Sequence, residues 1–300
     1  MQAHFEKLRQ NLEPNPTFSE IIRTRHAAVR AQLAPNSHLI GSLQRKTRIQ
    51  PLAGQTFDID ILVILGDFIT WAPVGGITSS AAIQHVLTKA LESDRYAVKN
   101  PVADAPTVTL HFSNEVKVEL VPAYLDNIGR SPSSILHSPK GRAYWVPNGT
   151  GGWMLADYDY DAEYMSGANE RSDSFLVPVI KMLKAIKRMH FPQLKSYALE
   201  ILAAAHIPAI VSAFRARGLS ITYPVLLKHF FLHAKADLGN LIVIPGSLSA
   251  PIILTSEVIS QAGERFDAIG AAIAQIEALS DAQKVGYWRA IVGDPFPATL

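Results

Sequence analysis

Residues 41–65, GSLQRKTRIQPLAGQTFDIDILVIL, join a glycine-serine turn to a strand that opens on two aspartates. Side chains of an extended chain alternate with period two. Asp58, Asp60, Leu62 and Ile64 therefore share one face, and Ile59, Ile61, Val63 and Leu65 share the other. The second face is wholly apolar and belongs against a core. The first begins with two carboxylates about 7 Å apart, at a rise of about 3.3 Å per residue, a spacing that can share or bridge divalent cations. Hard oxygen ligands of this kind suit Mg²⁺ or Mn²⁺.

Alone, Asp-x-Asp is a weak signal, because two acids at the mouth of a strand are commonly a solvated strand end. The preceding Gly41-Ser42 adds weight: glycine lets backbone N–H groups approach a phosphate closely, and serine adds a hydroxyl. A third element lies in residues 107–124, TVTLHFSNEVKVELVPAY. Alternating Val108, Leu110 and Phe112, a turn at Ser113-Asn114, then Val116, Val118 and Leu120 read as a hairpin. Glu119 falls on the face opposite the apolar set. Beside Lys117 it is ordinarily half of a surface ion pair; as a third acid it completes the charge of a two-metal site.

The order of glycine-serine, Asp-x-Asp opening a strand, and a single acid followed by Val121-Pro122-Ala123 resembles the nucleotidyltransferase superfamily that includes polymerase beta. The finer resemblance is to its cyclic GMP-AMP synthase and oligoadenylate synthase branch, in particular the bacterial second-messenger synthases of anti-phage defence. Gly41, Ser42, Arg45 and Thr47 match that branch's turn, while Lys46 stands where glycine is usual. Residues 179–202, VIKMLKAIKRMHFPQLKSYALEIL, resemble its lysine-bearing helix and Lys-Ser-Tyr turn, so the likeness spans roughly Ser37 to Leu202.

That resemblance implies an α+β fold: a polymerase-beta-like core sheet, residues 1–165, and a helical C-terminal lobe, residues 166–300, with the active site in the cleft between them. It implies catalytic and metal-ligating roles for Asp58, Asp60 and Glu119, with two Mg²⁺ ions for which Mn²⁺ can substitute. Glutamate at 119, where aspartate is commoner, is one methylene longer than the family's usual ligand. Nucleotide contacts fall to Gly41, Ser42, Arg45, Thr47, Lys181, Ser196 and Tyr197, with Lys184 one helical turn from Lys181. The implied reaction joins ATP and/or GTP into a cyclic di- or trinucleotide and releases pyrophosphate, under a regulatory protein partner. The alternatives are a transferase acting on a protein, RNA or a small molecule, and a catalytically silent nucleotide or RNA sensor.

Three hundred residues, 48% of them apolar, are enough for one large or two modest domains. A formal charge of +2 gives little global attraction to a polyanion, so long double-stranded DNA is not expected as an activator. The absence of cysteine excludes disulfides, thiolate zinc sites and cysteine nucleophiles, and fits a reducing cytoplasm. The N-terminus has no apolar targeting segment, and residues 201–214, ILAAAHIPAIVSAF, read as helix ends around a break at His206 and Pro208, so no membrane association is expected.

Helical periodicity predicts an amphipathic helix from Thr17 to Leu33, capped by Thr17 or Ser19 and closed by Pro35, and another from about Ser79 to Glu92. Residues 127–152, rich in Gly, Pro and Ser, read either as a lid or as a connector anchored by Trp145 and Trp153; with Lys140, they are also candidates for holding a base beside Tyr197. Asp157, Asp159, Asp161 and Glu163 read as a solvated acidic face. His229 and His233 lack the acid of a metalloprotease motif. Residues 262–279 predict a last helix before an extended, proline-rich tail.

Overall fold

The computed structural model describes residues 1–32, 36–52, 54–68, 78–92, 101–104, 106–112, 116–126 and 142–300. The turn expected at Ser113-Asn114, the helix end at Leu33 and Pro35, and the segment from Asn127 through Lys140 lie outside them.

Two long strands form the centre of the sheet. β2 (Phe57–Asp67) and β5 (Val116–Asp126) run parallel, with Asp60 directly opposite Glu119. β1 (Ser37–Leu39) lies antiparallel on the far side of β2, while β4 (Thr107–Phe112) and β3 (Val102–Asp104) continue the sheet beyond β5. From Tyr124 onward β5 pairs instead with β6 (Ala143–Pro147), which carries β7 (Trp153–Ala156).

The alternation in β2 comes out as expected. Phe57, Ile59, Ile61 and Val63 enter a core shared with Val108, Leu110, Val116, Val118 and Leu120, under α2 (Pro16–Gln32) and α4 (Ser79–Glu92). The cap of α2 is neither Thr17 nor Ser19: the Phe18 N–H donates to Asn15 Oδ1 at 2.9 Å, and Pro16 takes the first helical position, where its missing N–H costs nothing. Leu62 and Ile64, beyond the aspartates on the other face, pack with Val121, Ala123, Tyr144 and Val146.

The helical lobe contains α5 (Tyr158–Arg171), α6 (Leu176–His190), α7 (Ser196–Ala216), α8 (Tyr223–Ala234), α9 (Ser256–Ile276) and α10 (Asp281–Val292). α1 (Gln2–Leu12) joins it, seating Phe5 with its ring centroid 4.9 Å from Trp288 and 5.3 Å from Phe296. The expected division at residues 165 and 166 runs through α5, whose Met165 and Ala168 are both in the helical core. The lobe is better drawn from Asp157, with α1 added.

Two sequence expectations about the helices are overturned. α7 is continuous through Pro208; only the helical bond that a residue-208 N–H would give is lost, and burial of Ala203, Ala204, Ile207, Ile210 and Val211 holds the helix on both sides. By length and composition α7 could cross a bilayer, but its apolar residues are packed in the helical core. α10 follows the helix expected to be last. Its sequence signal is a capping box, in which Ser280 and Gln283 satisfy each other's backbone N–H groups.

Candidate active site

β1 leads through Ile40 into α3 (Gly41–Gln44), a single turn that lies against the aspartate face of β2. Gly41 has φ +68°, and a Cβ there would stand 2.5 Å from Asp60 Oδ2. Only glycine can bring the backbone this close to the carboxylate. The loop closes through Thr47 N–H to Ser42 O at 2.9 Å. Lys46, where the resembled family has glycine, adopts φ 59°, the left-handed conformation that favours glycine; an L-residue holds it at a cost of roughly 1–2 kcal/mol.

Burial pushes the Asp60 carboxyl up to about 6, with Glu119 adding to the rise. Burial also raises Asp58, offset by the Arg48 guanidinium. Burial and mutual repulsion thus hold these two carboxylates above their ordinary range, a cost that a bound cation relieves. The three acids are not a ready-made cage: among the described residues no three acidic or histidine side chains gather closely enough to hold an ion. Glu119 is instead paired with Lys117 at 2.6 Å, the ordinary strand-surface pair, so it would have to exchange that partner to join Asp58 and Asp60.

A cavity of about 390 Å³ runs from these aspartates to the helical lobe, lined by Ser42, Arg45, Arg48, Lys184, Arg188 and Ser196 among others. Lys181 is not part of it. On α6 it points away and pairs with Glu13, while Lys184, one turn on, and Arg188, one turn further, face the cavity. The helical phase, 100° per residue, decides which lysine reaches in, and the apolar stripe alone left it open by one turn. Arg48 was not singled out from the sequence; it stacks over Phe57 at 4.2 Å and faces the carboxylates electrostatically.

Arg45 and Thr47 meet a residue that no motif pointed to. Glu200 on α7, 1% exposed, accepts from Arg45 Nε at 2.8 Å and Thr47 Oγ1 at 2.9 Å and pairs with Lys184 at 2.7 Å. Burial by itself would raise its carboxyl, but Lys184 and Arg45 outweigh that and hold it down to about 2. A carboxylate with an unfolded value of 4.5 that stays ionised in the fold to about 2 adds stability that is complete above pH 4.5 and lost as pH falls toward 2. In Glu200→Gln the melting temperature, followed across that window, is expected to fall less steeply with acid than in the wild type.

A second cavity of about 600 Å³ shares Gly41, Arg45, Asp60 and Tyr197 with the first, and is otherwise mainly apolar: Val121, Met154, Ala156, Tyr158 and residues 250–253 line it. Tyr197 is held on one face by the Arg45 guanidinium at 4.3 Å, and its hydroxyl donates to Asp161 at 2.6 Å. A base can stack only on the opposite face. Of the acidic run only Glu163 is exposed as a solvated face would have it: Asp157 and Asp161 are buried, Asp161 accepts from Ser247 and Ser249 as well as Tyr197, and Asp159 accepts from Gln44 and Tyr144. Asp161 thus satisfies three hydroxyls, and Asp159, which also pairs with Arg142 at 2.9 Å, ties the Gln44 turn to β6. Trp145 and Trp153 line neither cavity. Trp145 stacks on Phe68 at 4.7 Å and donates to Asp126, and Trp153 packs edge-on against Tyr124, contacts that anchor the sheet.

Residues 1–134 match the Second Messenger Oligonucleotide or Dinucleotide Synthetase domain. No curated protein sequence matches the chain. CdnC of E. coli MS115-1, solved with ATP, superposes with a TM-score of 0.72 at 14% identity over 99% of this chain and 98% of its own; it is also solved in complex with HORMA-deltaN, with a TM-score of 0.67 at 16% identity and the same coverage. CdnG of Bradyrhizobium diazoefficiens, solved with GTP, gives 0.69 at 12% over 98% and 95%. The Vibrio cholerae cyclic AMP-GMP synthase DncV, in complex with the linear intermediate pppA(3′,5′)pG, gives 0.65 at 14% over 87% and 70%. At such identities the likeness establishes the fold.

Proposed function

We propose that this chain, which carries a second-messenger oligonucleotide or dinucleotide synthetase domain over residues 1–134 and folds throughout like CdnC and CdnG, is a nucleotidyltransferase joining ATP and/or GTP into a cyclic di- or trinucleotide. The observation that carries this reading is the pair of cavities meeting at Asp60. One is lined by four basic side chains and two serines and suits a triphosphate; the other is apolar with a tyrosine and suits a nucleoside.

Asp58 and Asp60, with Glu119 once it leaves Lys117, would hold divalent cations, Mg²⁺ or Mn²⁺ by the chemistry of their oxygens. Such ions, when bound, lower the pKa of an attacking ribose hydroxyl and neutralise the leaving oxygen. The protein's own share is positioning. Ser42 and the Gly41 turn meet the phosphates on the sheet side, and Lys184, Arg188 and Ser196 at the first turn of α7 meet them on the helical side. The acceptor hydroxyl attacks the α-phosphorus in line, the bond to the β-phosphate oxygen breaks, and pyrophosphate leaves. A second attack within the linear product closes the ring. A cytoplasmic setting, a role in anti-phage defence, a regulatory protein partner and activity without long double-stranded DNA belong to the same reading.

Incubation with ATP, GTP and Mg²⁺ is expected to yield a phosphatase-resistant product, with one pyrophosphate released per bond, by mass spectrometry. Products that are all linear and phosphatase-sensitive, or label found only on protein or RNA, overturn it. Within that assay, Lys184→Ala is expected to raise the nucleotide KM by about ten- to a hundredfold, from a charge-assisted contact worth about 1.5–3 kcal/mol. Lys181→Ala loses a pair with the half-exposed Glu13 and should leave KM unchanged. The reverse order of effects would restore Lys181 as the reaching lysine.

A further inference from the structure

A carboxylate in a cavity meant for a triphosphate ought to repel the substrate, yet Glu200 sits beside Lys184 and Ser196 at the wall of the basic cavity. Its partners explain how it is tolerated. Arg45 gives it two contacts, Nε at 2.8 Å and Nη2 at 3.4 Å; Thr47 Oγ1 gives one at 2.9 Å; Lys184 gives one at 2.7 Å. Two carboxylate oxygens have about four acceptor sites, so Glu200 is saturated and presents little free negative charge to a ligand. Lys184 also donates to the Thr47 carbonyl at 2.9 Å and to Thr47 Oγ1 at 3.2 Å. These four residues thus join three separate elements: the 45–47 loop that follows α3, α6 and α7.

Charge counting points the same way. Arg45, Arg48, Lys184 and Arg188 line a single small cavity and would repel one another, and long basic side chains left to themselves spread over many rotamers. Against these four charges the cavity wall sets three carboxylates, Asp58, Asp60 and Glu200, and Glu200 is the one that fixes two of the basic side chains. The cavity keeps a net positive field, and Arg45 and Lys184 are already ordered when an anion arrives.

We infer that Glu200 is a positioning residue for triphosphate binding: through Arg45, Lys184 and Thr47 it preorganises the anion cavity and locks the Gly41–Ser42 turn to the helical lobe. The inference rests on reading this cavity as the triphosphate site. A residue that merely ties the lobes together would change stability when altered and leave the folded protein's affinity for phosphates intact. Positioning changes the affinity itself.

The test is calorimetric titration of the full-length protein with inorganic tripolyphosphate in the presence of Mg²⁺, beside thermal melting. Glu200→Gln, which keeps volume but loses charge, is expected to bind about tenfold more weakly at temperatures where it is fully folded, and to raise KM for nucleotide by a similar factor with kcat changed far less. Thr47→Val removes the two hydrogen bonds of one hydroxyl and no charge, so it folds even if Glu200→Gln does not, and is expected to bind about threefold more weakly. Wild-type affinity in either folded variant, whatever its melting temperature, overturns the inference. If the wild-type protein itself does not bind tripolyphosphate, the assignment of this cavity to a triphosphate falls, and the inference with it.

Discussion

Asp60→Asn is expected to lower product formation at least about a thousandfold, equivalent to roughly 4 kcal/mol in the barrier, while leaving the protein folded. The substitution keeps shape and removes the one carboxylate that belongs to both cavities and touches the Gly41 turn. Most point changes at buried positions destabilise; here the opposite sign is expected. Because burial and Glu119 raise Asp60 to about 6, its ionised form opposes folding at neutral pH. The folded protein binds more protons than the unfolded chain between about pH 4 and 6, so the metal-free wild type loses this increment of stability as pH rises through that window. Asparagine has no such penalty. In metal-free buffer above pH 6 the variant should melt no lower than the wild type, and the difference should close on acidification toward pH 4. Turnover within tenfold of wild type would remove Asp60 from the chemistry.

Gly41→Ala is expected to have the second largest effect, about a hundredfold loss of activity, although it adds one methyl group. Two costs combine. At φ +68° an L-residue is strained by about 1–2 kcal/mol, which for a chain of this size lowers the melting temperature by roughly 2–4 °C. The new Cβ would lie 2.5 Å from Asp60 Oδ2, so either the turn or the carboxylate must move. Displacing Asp60 should also weaken the stabilisation expected from Mg²⁺ in thermal melts, a readout that strain alone would not alter. A variant with the lowered melting temperature but normal activity and an undiminished Mg²⁺ shift would show that the close approach of turn and carboxylate is incidental.

The sheet and its acidic face were legible because a strand's period of two is a local property. Phe57 through Leu65 needed only its own alternation to assign each side chain to core or cleft, and the structure places Ile59, Ile61 and Val63 in the core and Asp58 and Asp60 at the cavity as that alternation requires. The α4 helix was read to its bounds for the same reason. Gly41, too, announced itself, since a glycine before a serine at the entrance to an acidic strand is informative where side chains must stay out of the way.

Local periodicities are written in the chain itself: which strand carries the acids, which segments are helical, and which turn lies beside them. Which side chains meet across the cleft was decided only by the tertiary structure. Lys181 and Lys184 differ by three residues on one helix, and it is the packing of α6 against α1 and α7 that turns the first to Glu13 and the second to Glu200 and Thr47. Glu200 stands 155 residues from Arg45, and Asp161 joins Tyr197, Ser247 and Ser249 from three places in the chain; such pairs have no spacing to recognise. The physical reason is that burying a charge is tolerable only where partners from elsewhere in the fold satisfy it, so the acids read as solvated in a linear chain become the ones that hold the assembled lobes together.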